Sequence, residues 1–367
     1  MTVLGLIGKP NVGKSSFFRA ATLKDVEVAD YPFTTIKPNV GVAHVSLPCP
    51  APECNPRRGA CLEGTRFVPV KLYDVAGLVP GAHLGKGLGN RFLDDARQSD
   101  VLIMVVDSTG TTDAEGNRGE GNPVEDVLFV LEEFDRWLAG IIKKLRETEK
   151  LKTELAGLGI TEEQVEKALL ESYPSGDCLE FATTLRKLSK PVIIAANKSD
   201  IRGSEIWINK LQKTGYPVVV TSAAYELALR KAANSGYIRY VPGRGSFEVL
   251  KELGEKQAEA LERIKAFLKK FSSTGVQEVL NRATFELGGV IAVFPVENEN
   301  KWTDSAGNVL PDCLLVKKGT TAKELAYLVH TDIGKKFVKA IDAKTKKVVG
   351  ADHELSHGDI IKIMTRA

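Results

Sequence analysis

Several things are scarce in this chain, and each scarcity excludes something. No apolar run in its 367 residues reaches the ~18 needed to cross a bilayer as a helix, so no membrane partner is expected. Only five cysteines occur, an odd number, which argues against a disulfide framework. Neither sign of charge is in excess: 50 basic against 47 acidic side chains leave +3. That excludes the broadly basic coat of a dedicated nucleic-acid binder, so any basic surface must be local. The opening MTVLGLIGKPN lacks a basic lead and a cleavage site, and reads as a first strand rather than a signal peptide. The expectation is a cytoplasmic, monomeric protein, long enough for two or three domains.

Short apolar runs alternate with helical periodicity over the first two thirds. Residues 2–7, 67–73, 101–106, 191–196 and 217–221 read as strands, most of them buried on both faces. Alternation with helices predicts an α/β fold around a parallel sheet. Residues 1–123 and 190–223 form that domain, 124–189 a helical insert, 224–288 a helical extension, and 289–367 a small α+β domain. Residues 48–66, with four prolines and three cysteines, are irregular.

The segment Gly8-Lys9-Pro10-Asn11-Val12-Gly13-Lys14-Ser15 has the G-x-x-x-x-G-K-S spacing of a phosphate-binding loop, followed by Ser16 and a helix. The glycines allow backbone N–H groups to curl around β- and γ-phosphates, and the helix offers its N-terminus to the same anions. Lys14 supplies a cation and the Ser15 hydroxyl a Mg²⁺ ligand. Strand before and helix after make a chance match remote.

Three further segments sit at strand ends in the order such a site requires. Asp74, with Val75, Ala76 and Gly77, can hold Mg²⁺ through water while the Gly77 N–H reaches the γ-phosphate. Asn197-Lys198-Ser199-Asp200 follows a buried strand, and the Asp200 carboxylate matches the paired donors of guanine that adenine lacks. Thr221, Ser222 and Ala223 close the set, with a backbone N–H directed at guanine O6. GTP and GDP are the expected ligands.

Three stretches carry a family resemblance: GKPNVGKSSFFRA (8–20), DYPFTTIKPNVG (30–41) and DVAGLVPGAHLGKGLGNRFLDDARQSDVLIMVVD (74–107). They resemble the Obg family of translation-factor-class P-loop GTPases, close to its YchF-related branch, and HELSHGDIIKIMT (353–365) resembles the end of a TGS domain. The resemblance implies a P-loop NTPase parallel sheet with an inserted helical domain and a C-terminal β-grasp, ubiquitin-like domain. It also implies that residues 31–35, with Phe33, form switch I, where Thr35 ligates Mg²⁺ and touches the γ-phosphate, Thr34 being the competing choice. YchF proteins carry a degenerate fourth motif and prefer ATP. This chain keeps Asn197, Lys198 and Asp200, so it is expected to act on GTP.

Leu78 stands where many GTPases place a water-orienting glutamine, and it cannot bond to water. Asn11 is the compensating candidate, as a carbonyl ligand for K⁺ in place of an arginine finger; its alternative role is to stabilise the loop. His83, in a run of glycines after Gly77, reads as a solvent-facing side chain before a catalytic one. The function expected is slow GTP hydrolysis driving a switch. The alternatives are an adaptor with incidental hydrolysis and a YchF-like ATPase.

Two weaker signals remain. His44, Cys49, Cys54 and Cys61 could ligate Zn²⁺, although the spacing lacks a C-x₂-C pair and His44 falls in a strand, so ordinary reduced thiols are the first expectation. Cys178 and Cys313 read as packing residues. Residues 335–347 hold six lysines and one aspartate, a local +5 that suits phosphate contacts or a solvated face. The TGS resemblance tips that balance toward ribosome or RNA.

Overall fold

The computed structural model describes residues 2–22, 40–51, 53–75, 77, 98–145, 151–172 and 177–366. Its main sheet contains β1 (Val3–Ile7), β2 (Val40–Pro48), β3 (Ala60–Leu62), β4 (Thr65–Asp74), β5 (Val101–Asp107), β6 (Val192–Asn197) and β7 (Val218–Val220). The order is β2-β4-β1-β5-β6-β7, with β3 on β4. From β4 to β7 the pairing is parallel, and β2 runs antiparallel to β4. Every residue of β5 and β6 is buried, as expected of central strands covered on both faces.

On one face lie α1 (Lys14–Thr22) and α9 (Val276–Asn281), through Phe17, Ala20, Val279 and Leu280. On the other lie α2 (Pro123–Leu145) and α6 (Ser204–Leu211), which cover Ile7, Met104, Val106 and Ile194 with Val127, Leu131, Phe134 and Ile208. The second half of α2 belongs to a separate core with α3 (Leu151–Gly157), α4 (Glu162–Ser172) and α5 (Cys178–Ser189), where Leu138, Ile142, Phe181 and Leu185 meet. An ion pair between Asp135 and Arg186 at 2.5 Å is buried beside it. The insert read from the sequence at 124–189 thus shares its first helix with the main sheet.

The helices after β7 divide in the same way. α7 (Ala223–Asn234) lies beside α1, and its Leu229 packs with α8 (Glu255–Phe271) and with Ile238 and Tyr240 of the short hairpin β8 (Ile238–Arg239) and β9 (Glu248–Val249). A π-helical turn, Arg282–Leu287, continues α9 and leads into the last module.

That module is a five-stranded sheet of β10 (Val290–Val296), β11 (Leu314–Lys317), β12 (Phe337–Asp342), β13 (Val348–Val349) and β14 (Ile360–Thr365), in the order β11-β10-β14-β12-β13. β10 and β14 are parallel and the other pairs antiparallel, the expected β-grasp arrangement. α10 (Ala322–Val329) starts at a capping box of Thr321 and Glu324 and buries Ala322 and Leu325; α11 (Thr331–Lys335) follows it. Phe294, Val296 and Leu310 join the same core as Leu4, Phe17 and Val70, so the module is packed on the main domain. Among the described residues, no helix is long and apolar enough to cross a membrane.

Candidate functional site

The loop between β1 and α1 turns on backbone that side chains resist. Gly13 has φ 96°, and a Cβ there would come within 2.3 Å of the Asn197 amide. Val12 is buried, and Ser15 and Ser16 are exposed on the first turn of α1. Lys14 Nζ donates to the carbonyls of Gly8 (3.0 Å) and Lys9 (2.7 Å). Burial pulls its pKa down to about 8, with the Asp74 carboxylate opposing that shift. Asp74, the last residue of β4, accepts from Ser15 Oγ at 3.4 Å. Burial raises its carboxyl although Lys14 and Ser15 favour the ionised form. Gly77 faces the loop: a Cβ would lie 3.0 Å from Pro10 N and 3.2 Å from Lys14 Nζ. Ser15 and Asp74 are therefore two hard oxygen donors beside an ammonium, a set that fits Mg²⁺ and an anionic phosphate together.

The base end, at the tips of β6 and β7, is knit by side chains. Asn197 Nδ2 donates to the Val12 carbonyl at 2.9 Å, and its Oδ1 accepts from Ala223 N at 3.0 Å. One buried amide thus joins the phosphate loop to both loops at the base end. Ser222 caps α7 by accepting from Tyr225 N, and its hydroxyl donates to Asp200 Oδ1 at 2.6 Å. Lys198, in left-handed backbone at φ 63°, pairs with Asp107 Oδ2 at 2.7 Å. Burial alone would raise the Asp107 carboxyl; the Lys198 ammonium and the Thr109 hydroxyl and amide outweigh it and hold it below the ordinary range.

Sequence reasoning passed over three of these supports. Lys9 is 1% exposed, donates to the Thr112 and Asp113 carbonyls at 2.8 Å each, and pairs with Asp126 of α2 at 2.7 Å. Asp107 carried no assigned role. The loop after β5 also reaches the site: Asn11 Nδ2 donates to Gly116 O at 2.9 Å, and Gly116 lies against Pro10. The signal for Lys9 was a cation inside a phosphate loop, and for Asp107 a carboxylate ending an otherwise apolar strand.

The described site residues from Gly8 to Ser16, with Asp74, Gly77, Asn197, Lys198, Asp200, Ser222 and Ala223, come together at one end of the parallel sheet. Phe33, Thr34 and Thr35, and also Leu78 and His83, lie outside the described residues. The zinc-ligand candidates divide. Cys49, Cys54 and Cys61 converge, but His44 does not join them. It sits opposite Pro69 in the β2–β4 pairing, and burial, then the nearby Arg230 charge, lowers its pKa to about 4. Cys54 and Cys61 lie within disulfide reach of each other, Cα–Cα 6.5 Å, because the β3 hairpin folds back beside the loop that carries Cys54.

Comparison with known proteins agrees with this geometry. The family model described as "Obg-like GTPase YGR210-like, G4 motif-containing domain" matches residues 195–298, that of a 50S ribosome-binding GTPase residues 3–144, and that of the TGS domain residues 306–365. A GTP-binding protein of Methanocaldococcus jannaschii is 50% identical over 100% of both chains. Another, from Schizosaccharomyces pombe, is 32% identical over 98% of this chain and 95% of its own. The ribosome-binding ATPase YchF of Bacillus subtilis is 27% identical over 92% and 87%. The crystal structure of a GTP-binding protein from Pyrococcus horikoshii OT3 superposes with a TM-score of 0.77 at 38% identity, covering 100% of each chain. The chain belongs to the Obg family of P-loop GTPases, in its YchF-related branch with a C-terminal TGS domain.

Proposed function

We propose that the protein binds GTP with Mg²⁺ and hydrolyses it to GDP and phosphate, as a nucleotide-dependent switch. The observation that carries this reading is the Asn197 amide, which binds the phosphate loop and the base loops into one cleft whose far end holds the Asp200 carboxylate. Asp200 retains one oxygen on Ser222 and presents the carboxylate to the paired N–H donors of guanine. In the bound state Lys14 exchanges its two loop carbonyls for β- and γ-phosphate oxygens. Ser15, Asp74 and Thr35 would hold Mg²⁺, which supplies charge neutralisation across the phosphates. Gly77 leaves room for its N–H beside the γ-phosphate. Water attacks the γ-phosphorus, the bond to the β–γ bridging oxygen breaks with its electrons passing to GDP, and the water proton passes to the phosphate product.

Leu78 gives that water no partner, so intrinsic turnover is slow. Asn11, anchored through Nδ2 on Gly116, has its carbonyl oxygen to offer K⁺. Phosphate release is measured with Mg²⁺ and equal concentrations of GTP or ATP, in KCl and in NaCl at one ionic strength. GTP should be the better substrate and KCl the faster salt. Equal rates for the two nucleotides contradict the GTPase reading, and equal rates in the two salts remove K⁺ from it.

Bacterial YchF relatives are named ribosome-binding, and a ribosome or RNA partner is proposed here too. Lys335, Lys336, Lys344, Lys346 and Lys347 are exposed on the TGS domain, with Lys339 half-buried between them. Changing three to Gln should weaken RNA binding and flatten its log K against log salt slope by about two to three units.

A further inference from the structure

The cysteine-bearing segment between β2 and β4 has no part in the nucleotide site, yet it is built with care. Cys49 follows β2, and its N–H donates to Gly64 O at 2.8 Å in the turn between β3 and β4. Cys61 lies in β3, directly opposite Arg66 of β4. The sulfurs of Cys49, Cys54 and Cys61 all lie within 4.8 Å of one another. In a tetrahedral zinc site with Zn–S bonds near 2.3 Å, neighbouring sulfurs are about 3.8 Å apart, so these three need only small rotations.

A fourth sulfur comes from the other end of the chain. Asn55 N donates to Val309 O and Arg57 N to Pro311 O, each at 2.8 Å, so this segment is paired by backbone with the approach to β11. Arg57 also bridges Asp304 (2.6 Å) and Asp312 (3.0 Å). That docking brings Pro311 and Asp312, the residues before Cys313, onto the segment, while the Cys313 sulfur itself is not among the three that lie within 4.8 Å of one another. The cation in the same place is Arg66. It is fully buried, two of its nitrogens donate to the Leu310 and Pro311 carbonyls, and its Nε has no hydrogen-bond partner. A buried guanidinium with an unused N–H beside convergent sulfurs calls for an anion. A zinc tetrathiolate carries a net charge of −2.

We propose that Cys49, Cys54, Cys61 and Cys313 bind a structural Zn²⁺ ion that clamps the segment between β2 and β4 to the TGS domain. The chain binds the metal with Cys54 and Cys61 as thiols: four S–H bonds break, four Zn–S bonds form, and four protons pass to solvent. Disulfide and zinc are mutually exclusive for that pair, so the two states are separable by experiment. Cys178, in the helical insert, takes no part.

The full-length protein, purified under reducing conditions from zinc-supplemented medium, is assayed for metal by mass spectrometry. One zinc per chain is expected, released as the thiols are titrated with a mercurial. The Co²⁺-substituted protein should show the visible bands and sulfur charge transfer of a tetrahedral tetrathiolate. Cys178→Ser should leave metal content and spectrum unchanged. Cys313→Ser should weaken zinc binding by at least about 10²-fold in competition with a chelator and alter the cobalt spectrum. Should Cys313→Ser fail to fold, the metal content and cobalt spectrum of the unmodified chain still decide. A reduced, folded chain that takes up no zinc, or a Cys54–Cys61 disulfide persisting in protein isolated under thiol-trapping conditions from reducing cells, overturns the proposal. A cobalt spectrum unaffected by Cys313→Ser overturns the four-sulfur site.

Discussion

The two ends of the nucleotide cleft are built from different materials. The phosphate end is mostly backbone: glycines, a helix N-terminus, and Lys14 donating to two loop carbonyls, with Lys9 anchoring the loop from beneath. The base end is side chain on side chain, with Ser222 on Asp200, Lys198 on Asp107, and Asn197 between Val12 and Ala223. On the proposed GTPase reading, selectivity would be set before the nucleotide arrives, because the groups assigned to guanine are already fixed by one another. Phosphate capture would be completed by the ligand, whose charge would compensate a lysine whose pKa burial pulls down to about 8.

The largest effect is expected at Lys9, the hidden anchor of the phosphate end. Lys9→Ala leaves Asp126 and two carbonyls without their cation in a buried place. Stability should fall by about 3–5 kcal/mol, read from denaturant unfolding, with nucleotide binding weakened alongside. A loss below 1 kcal/mol would show the anchor to be dispensable.

Asn197→Ala tests the link between the ends. It orphans the Val12 carbonyl and the Ala223 N–H, at a cost of about 2–4 kcal/mol. Both GTP affinity and melting temperature should drop. If affinity falls with stability intact, Asn197 reads the ligand rather than joining the loops.

Asp200→Asn acts on the base end alone. GTP affinity should fall by ~10²-fold or more with ATP affinity little changed, since a carboxylate that accepts two donors is replaced by a mismatched amide. Unaltered discrimination would move base reading elsewhere in the cleft.

The smallest effect belongs to pH. Polyphosphate binding favours the charged Lys14, whose pKa in the free protein is about 8. Affinity should be level below that value and fall as pH rises through it, by up to about tenfold per unit. Calorimetry in two buffers at pH 8.5 should show proton uptake on binding. No uptake would place the lysine in its charged form before the ligand arrives.

The same divide governs what could be read in advance. The phosphate loop is contiguous, so Gly8 to Ser16 was legible, and the strands that carry Asp74 and Asn197 were marked by unbroken apolar runs. Supports made across the chain were not: Lys9 meets Asp126, and Lys198 meets Asp107 across 91 residues. Nothing in local spacing encodes such pairs. His44 shows the opposite error. An H-x₄-C spacing grouped it with Cys49, but β2 pairs it with Pro69 while the segment that carries the three cysteines docks on the approach to β11. Cys313 looked isolated for the same reason, since its neighbours come from more than 250 positions away, as in the Arg57–Asp312 pair.

On the proposed reading, the preformed base end selects guanine. Displacement of a fluorescent GDP analogue by unlabelled GDP and ADP, on the unmodified full-length protein with Mg²⁺, tests it most directly. GDP is expected to displace the probe at ~10²-fold lower concentration than ADP, in keeping with a site whose half-buried carboxylate is left mismatched by adenine. Displacement by both at the same concentration would contradict it.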